Sequence, residues 1–526
     1  MKRFILLLFA ACMLVFFSCN KAKKDKIIYK KPAQQELPEF QIPIDSNTIT
    51  NFYERFPKLA SYQKDVRYLY QKNGNKQVWL DHKGIIEFGH TLFDKYRDIE
   101  SEGLSKSFPY NDSLIGLFEN NKKQVKTASN DLLISNLYFY YADKVYRGVD
   151  AKTTTSLEWL LPRKKLDYQN FIDSLFKADS KVKIGQPKMF SQYYKLREAL
   201  QKYKKIETNG GWKSIAVSED FKSFTIGDSA EAILQIRERL VLTGELAENN
   251  QSPVCDSTLL AAVNQYQIHH GIKSKNKIIS QDIAEMNVPV ADRIKTIVVN
   301  MERCRWLDPE LEKDKEFLAV NIPEFKLYLV RDGQVAFTSP VVVGKMMTQT
   351  VIFSGMMQYV VFSPYWNVPN SIINKEIKPG MARDKNYLKK KNLEWNNGRV
   401  RQLPGRNNSL GLVKFLFPNS NNIYLHDTPS KSLFERESRA FSHGCVRVGK
   451  PRDLAIELLK DNPNWIPEKI DTAMHAGKEK WVTLQHKIPV YIGYFTAWVD
   501  RDGKLNFYRD VYQRDNPLAK LLYNEN

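Results

Sequence analysis

The sequence predicts a multidomain α+β chain, helical through its N-terminal half and strand-built toward its C-terminus. Three observations predict this. The chain has 526 residues, and at roughly 150 residues per domain that suggests about three to four units. Between about Ile49 and Val290 apolar residues recur at helical spacing. From Lys315 onward apolar residues alternate or run over strand lengths, with Asp-Gly pairs between runs. Hydrophobic residues at 43% and charged residues at 26% are ordinary for a globular chain and argue against a mostly disordered or multi-span membrane protein. Five Cys in this length exclude a disulfide-built scaffold. The formal charge of +20 suits an anionic partner, whether nucleic acid, a membrane surface or an acidic wall polymer.

The N-terminus chooses among these by compartment. Lys2 and Arg3 precede an apolar run from Phe4 to Phe17, too short to span a bilayer and of signal-peptide length. It ends in Phe16-Phe17-Ser18-Cys19, a small residue directly before a Cys. This resembles, loosely, the bacterial lipobox, with Cys19 as the lipidated residue; the other reading is a plain signal peptide at residues 1–19. Either way the chain is expected to be exported to the periplasm, as a membrane-anchored lipoprotein if Cys19 is modified. Nucleic acid is then not an expected partner. Residues 20–48 follow as a tether, Lys-rich and then Pro-containing, unable to bury a core.

Residues 49–218 are expected to form a helical scaffold. The segment from Asp131 to Ala142 is apolar at helical spacing, and Gly103, Gly148, Gly210 and Gly211 punctuate the region. His82 and His90 are isolated and read as surface or packing residues. Residues 224–290 read as a three-helix unit. Asp228-Ser-Ala-Glu231 has the pattern of a capping box. Ile233, Ile236 and Leu240 share one face, and Asp256 is placed to cap a second helix carrying Leu259, Val263 and Tyr266. Tyr266-Gln267 followed by His270-Gly271, then Ile279 to Asn287, resembles the peptidoglycan-binding domain of wall enzymes. His269 and His270 are otherwise helix-end residues beside a Gly.

Strands begin with Phe317 to Ile322 and Phe325 to Val330, and Asp332-Gly333 signals a hairpin to Val335. Val341 to Val343, Gln358 to Phe362 and Asn422 to His426 continue the sheet. Pro451 opens a helix. A last hairpin, within residues 485–515, is expected to turn at Asp502-Gly503 between Val490–Phe495 and Leu505–Tyr508.

The chemistry concentrates between His426 and Cys445. Cys255 and Cys304 have no nearby His and read as packing residues, with a bridge between them open. Cys445 stands in Ser442-His443-Gly444-Cys445-Val446-Arg447. A thiol needs a base or positive surroundings to ionise near neutral pH, and His426 and His443 are candidates. Gly444 permits a tight backbone path that aims main-chain N–H groups at an oxyanion. Nucleophile, base and oxyanion donors thus fall within one short stretch. Zinc would need about four N/S ligands, and no second pair lies nearby; no metal or cofactor is expected.

His426-Asp-Thr-Pro followed by Ser442-His-Gly-Cys-Val-Arg447 resembles the YkuD-type L,D-transpeptidase catalytic domain. Asn300 to Trp306, Val360 to Pro369 and Asn422 to Pro429 resemble its large YcbB-like branch, which also has a scaffold and a peptidoglycan-binding domain. One departure is visible: Thr350 to Ser354 lacks a Pro that the family often has there. The resemblance implies a catalytic domain at residues 315–465, a mixed-sheet sandwich, with a lid inserted at about 369–404. It implies Cys445 as nucleophile, His426 as base and the Asp427 carbonyl as the group orienting His426. His443, Gly444 and Cys445 would supply oxyanion N–H groups, and Ser442, His443 and Arg447 would shape the pocket. Arg447 would pair with a substrate carboxylate or form a structural salt bridge.

The basic lid, with Lys389 to Lys391, reads as a solvated insertion or as a cover that excludes water and attracts stem carboxylates. The implied activity is 3→3 cross-linking of peptidoglycan. Cys445 would attack the third residue of a tetrapeptide stem, release D-Ala, and pass the acyl group to an amine of a second stem. Carbapenems would acylate Cys445. The alternatives are an L,D-carboxypeptidase using the same thioester, and a non-catalytic peptidoglycan-binding lipoprotein.

Overall fold

A computed structural model describes residues 40–119, 126–164 and 188–523. The expected signal peptide, Cys19 and the tether as far as residue 39 lie outside the described residues. The Asp45 carboxylate accepts the Thr48 N–H at 2.7 Å and opens the helix Ser46–Arg55. Ile44 just before it is fully buried, so the fold begins a few residues before the tether's expected end.

Around the helix Ala128–Tyr141, buried on every face, the scaffold packs Ser46–Arg55, Gln63–Lys72 and Glu87–Arg97. An all-round apolar helix belongs in such a core. It also carries Asp131, whose carboxylate accepts the Val78 and Trp79 N–H groups at 2.9 and 2.8 Å and the Tyr70 hydroxyl at 2.6 Å. These donors keep the chain before the short ladder β1 (Leu80–Asp81) and β2 (Gly84–Ile85) in place. The strand β3 (Trp159–Leu160) then leaves the scaffold and pairs with the large C-terminal sheet.

The three-helix unit comprises Glu231–Thr243, Ser257–His269 and Ser280–Met286. A ladder of β4 (Ser223–Phe224) with β5 (Ile278–Ile279) closes it. Its own core includes Ile233, Ile236, Leu240, Leu259, Val263 and Tyr266. Asp256 caps the second helix through the Leu259 N–H at 2.7 Å. The capping box expected at Asp228 does not form. Ser229 is bridged to Val254, so the helix starts only at Glu231, and Asp228 instead accepts the Thr225 N–H at 2.6 Å.

The helix Val290–Trp306 joins the three bodies, and its Asn300–Trp306 motif is a set of buried joints. Glu302 accepts the Val149 N–H at 2.6 Å, Arg305 Nη1 at 2.9 Å and Trp306 Nε1 at 2.7 Å. Asn300 exchanges hydrogen bonds with Thr496, and Arg303 pairs with Asp515 at 2.7 Å. The scaffold and the C-terminal strands are thereby pinned to one helix.

Downstream come β6 (Glu316–Asn321), β7 (Lys326–Arg331), β8 (Gln334–Gly344) and β9 (Ile352–Phe362). Asp332 and Gly333 both take positive φ, at 47° and 71°, the two-residue turn the Asp-Gly pair predicts. Next are β10 (Trp366–Asn367), β11 (Leu393–Asn396) and β12 (Arg399–Gln402), which form a separate small sheet. With the helical stretch Asn370–Arg383 they enclose Val368, Ile373, Ile377 and Val400, so the insertion has its own core. The main sheet resumes with β13 (Val413–Leu416), β14 (Leu425–His426), β15 (Ala440–Ser442), β16 (Val446–Val448) and β17 (Lys480–Gly493).

Among the described residues ten strands make one mixed sheet, in the order β13-β14-β16-β8-β7-β6-β17-β9-β3 with β15 on β8. Because β9 also pairs with β13, the sheet closes on itself around Val341, Val360, Phe415, Leu425 and Val446. The last hairpin differs from expectation. Val490–Gly493 is the end of β17, parallel to β6 and antiparallel to β9. The partner of β19 (Leu505–Phe507) is β18 (Ala497–Val499). The run from Val490 to Ile492 is apolar enough to complete the closed sheet, and the hairpin is left to the residues after it.

Candidate active site

Register across the closed sheet decides which side chains meet. Residues directly opposite on neighbouring strands share a face. Leu425 pairs with Val446 and with Phe415, and all three point into the core. The alternate residues therefore face outward. His426 stands opposite Arg447 on β16 and opposite Lys414 on β13. Cys445, two residues before Arg447, and Tyr424, two before His426, continue on that outer face.

The loop before Cys445 is held rigidly. Thr350 Oγ1 donates to the Gly444 carbonyl at 2.7 Å, and Ser442 Oγ donates to the Cys445 carbonyl at 2.6 Å. Gly444 has φ +115°, a region that favours glycine. Its N–H is engaged by Ser442 Oγ at 3.1 Å. Of the three N–H groups expected at the oxyanion site, those of His443 and Cys445 are left without a partner among the described residues. Ser442 is buried and His443 exposed, so Ser442 braces the loop while His443 lines its rim.

His426 is 5% exposed, and its Nδ1 meets the Asp427 carbonyl at 2.5 Å. A carbonyl can only accept, so Nδ1 carries the proton and Nε2 keeps its lone pair. Burial, with the nearby Arg447 cation, pushes the imidazole down to about 3; the ring is neutral near neutral pH. The Asp427 carboxylate accepts the Leu412 and Thr428 N–H groups at 2.9 and 2.6 Å and pairs with Lys431. This fixes the residue whose carbonyl aims His426. Gly411 makes room for it: a Cβ there would meet Asp427 Cγ at 2.3 Å.

Burial raises the Cys445 thiol above its ordinary value, while Tyr424 and Arg447 pull it the other way. Both shifts favour the neutral forms, a thiol and an imidazole on the same outer face. Tyr424 is the residue sequence reasoning missed. Its phenol lies close enough to the Cys445 thiol for each to shift the other, with Trp366 beside it, and its ring is 5.7 Å from that of His426; the thiol's own hydrogen bond goes to the Asn422 carbonyl at 3.7 Å. The signal was present: Tyr424 precedes His426 by two in the strand expected over Asn422 to His426, a spacing that puts both on one face. Trp366 belongs to β10, so the insertion reaches the nucleophile through Tyr424.

Arg447 has no carboxylate partner among the described residues, and its Nε is buried without a hydrogen bond. Of its two expected roles, the structural salt bridge does not form. Cys255 and Cys304 are buried free thiols and make no bridge. His270 stacks on Tyr266 at 3.7 Å and its Nδ1–H donates to that residue's carbonyl at 2.8 Å; it serves packing against the C-terminal hairpin, with Phe507 at 5.6 Å. His82 and His90 are exposed. Among the described residues no group of His, Cys, Asp and Glu is arranged to hold a metal ion.

Residues 315–466 match the family model of the YkuD-type L,D-transpeptidase catalytic domain, and residues 64–200 match that of a scaffold domain. A curated relative from Haemophilus influenzae, whose name provisionally assigns it to the L,D-transpeptidases, is 32% identical over 288 residues. That alignment covers 49% of this chain and 58% of the relative. An L,D-transpeptidase structure from Mycobacterium smegmatis aligns at 12% identity over 34% of this chain and 58% of its own, with a TM-score of 0.20. One from Stackebrandtia nassauensis aligns at 14% identity over 52% of this chain and 97% of its own, also with a TM-score of 0.20. Scores this low establish no likeness of fold. By the family match that covers Cys445, His426 and the strands around them, residues 315–466 belong to the YkuD family of L,D-transpeptidase catalytic domains.

Proposed function

We propose that the protein is a cell-wall L,D-transpeptidase that forms 3→3 peptidoglycan cross-links through a thioester on Cys445. The observation that carries this is the arrangement on one sheet face of a thiol, an imidazole with its Nε2 lone pair free, two unpartnered N–H groups and an unpaired guanidinium. His426 takes the Cys445 proton as sulfur attacks the carbonyl of donor residue 3, diaminopimelate. The His443 and Cys445 N–H groups receive the oxyanion. His426 returns the proton to the departing amine of D-Ala, and a thioester remains. An amine of a second stem then attacks, loses its proton to His426, and frees the thiol. Tyr424 donates to sulfur while it is anionic, and Arg447 binds the donor's C-terminal carboxylate.

The insertion at about 369–404 acts as a lid, keeping water from the thioester so that the amine wins. The three-helix unit holds the glycan, and an exported, Cys19-anchored chain meets its substrate in the periplasm. The test is mass spectrometry of products from disaccharide-tetrapeptide incubated with the full chain. A dimer lacking one D-Ala, joined between the two diaminopimelate residues, is expected. Tripeptide without dimer makes the protein an L,D-carboxypeptidase. No product and no carbapenem adduct on Cys445 makes it a binder. Cys445→Ala and His426→Ala are expected to abolish product, and full turnover by either refutes the mechanism.

A further inference from the structure

The outer face that carries His426 extends well beyond it. Pairing runs from Val342 on β8 through Arg447, His426, Lys414 and Val361 to Trp481 on β17. Two of these residues are cations, and they stand one strand to either side of His426. Strands lie about 4.8 Å apart, so the backbones at Arg447 and Lys414 are about 10 Å apart.

Both cations are underused. Arg447 keeps a buried Nε with no partner. Lys414 is 9% exposed, and its ammonium has three N–H donors to satisfy. Its one hydrogen-bond partner among the described residues is Glu479, at 3.5 Å, the outer limit of such a bond. That carboxylate is already served, by the Tyr365 N–H at 3.0 Å and the Trp481 Nε1–H at 2.9 Å. Burial pushes the Lys414 ammonium below its ordinary value. A charge so placed is stable only when paired and well hydrogen-bonded.

The ammonium is not sealed in. It lies 5.4 Å from the ring of Trp481, which is 49% exposed. Trp481 packs edge-on against half-buried Tyr359 at 5.7 Å. Tyr359 pairs with Leu416, and both are half-buried, as are Tyr424 and Cys445.

We propose that Lys414 is a second carboxylate-binding residue of this groove, on the opposite side of His426 from Arg447. It takes the side-chain carboxylate of donor residue 3. This rests on the transpeptidase reading above. A donor with its scissile carbonyl at Cys445 and its C-terminal carboxylate on Arg447 carries one more free carboxylate, at the end of the long residue-3 side chain. Lys414, one strand from His426, is the cation placed to meet it.

The test compares two tetrapeptide donors, one with the residue-3 side-chain carboxylate free and one with it amidated, on the full chain and on Lys414→Met and Lys414→Arg. An ion-assisted hydrogen bond predicts about a tenfold or larger rise in KM for the free donor in Lys414→Met. KM for the amidated donor is expected to stay within twofold, as is kcat, and Lys414→Arg is expected to recover most of the loss. Calorimetric titration of both donors into Cys445→Ala, with and without Lys414→Met, is expected to show the same difference in Kd. Alkylation of Cys445 by iodoacetamide, an uncharged probe, reports that the site is intact. A preference for the free donor that survives Lys414→Met, in KM or in Kd, overturns the proposal. So does an equal loss on both donors. Absence of any product from the unsubstituted protein overturns the transpeptidase reading instead, and the calorimetric comparison still decides for or against Lys414.

Discussion

Tyr424→Phe removes one oxygen from the site, the phenol that with the Tyr424 N–H holds the Cys445 thiol down. A donor that bonds the charged form of a group lowers its pKa, so its removal raises the thiol further. Hydrogen bonds to charged groups are worth about 1.5–3 kcal/mol. At 1.36 kcal/mol per unit that corresponds to roughly one to two units in the thiol pKa. Acylation is expected to slow by about tenfold to a hundredfold. The assay is the rate of Cys445 alkylation by iodoacetamide across pH, with the carbapenem acylation rate beside it. Trp366→Phe keeps the phenol and should show a smaller shift in the same direction, because it removes only the donor that polarises Tyr424. If Tyr424→Phe left the thiol's alkylation midpoint and its acylation rate within twofold of the parent, Tyr424 would have no hold on the thiolate.

Two further outcomes follow from burial. Glu302→Gln leaves the fully buried Arg305 without its counter-charge, and breaking such a pair costs about 3–5 kcal/mol; denaturant titration should show this loss, and an unchanged midpoint would mean the joint is not a stability element. His426 has a depressed folded pKa of about 3 against an ordinary 6.5. The unfolded chain therefore takes up a proton below pH 6.5 that the folded chain refuses, and stability falls by about 1.4 kcal/mol per unit as pH drops from there toward 3. His426→Gln should flatten that slope in thermal unfolding between pH 7 and pH 5; an identical slope in both proteins would refute the assignment.

The sequence by itself determined whatever depends on spacing along one strand, helix or turn. The Asp332-Gly333 turn, the cap at Asp256, the apolar faces of the three-helix unit and the stretch from Ser442 to Arg447 were legible because each is local. The tertiary structure decided what depends on register between distant strands. Nothing in the spacing of Lys414, His426 and Trp481 reveals that β13, β14, β9 and β17 align them in one row. The motif Asn300–Trp306 was visible as a motif, but its role as buried joints appears only when Val149 and Thr496 arrive beside it from distant parts of the chain. Two local expectations, the capping box at Asp228 and the hairpin partner of Leu505, failed for the same reason. Long-range pairing claimed those residues first: Ser229 is bridged to Val254, and the end of β17 pairs with β6 on one edge and β9 on the other, which satisfies more backbone groups than a local hairpin can.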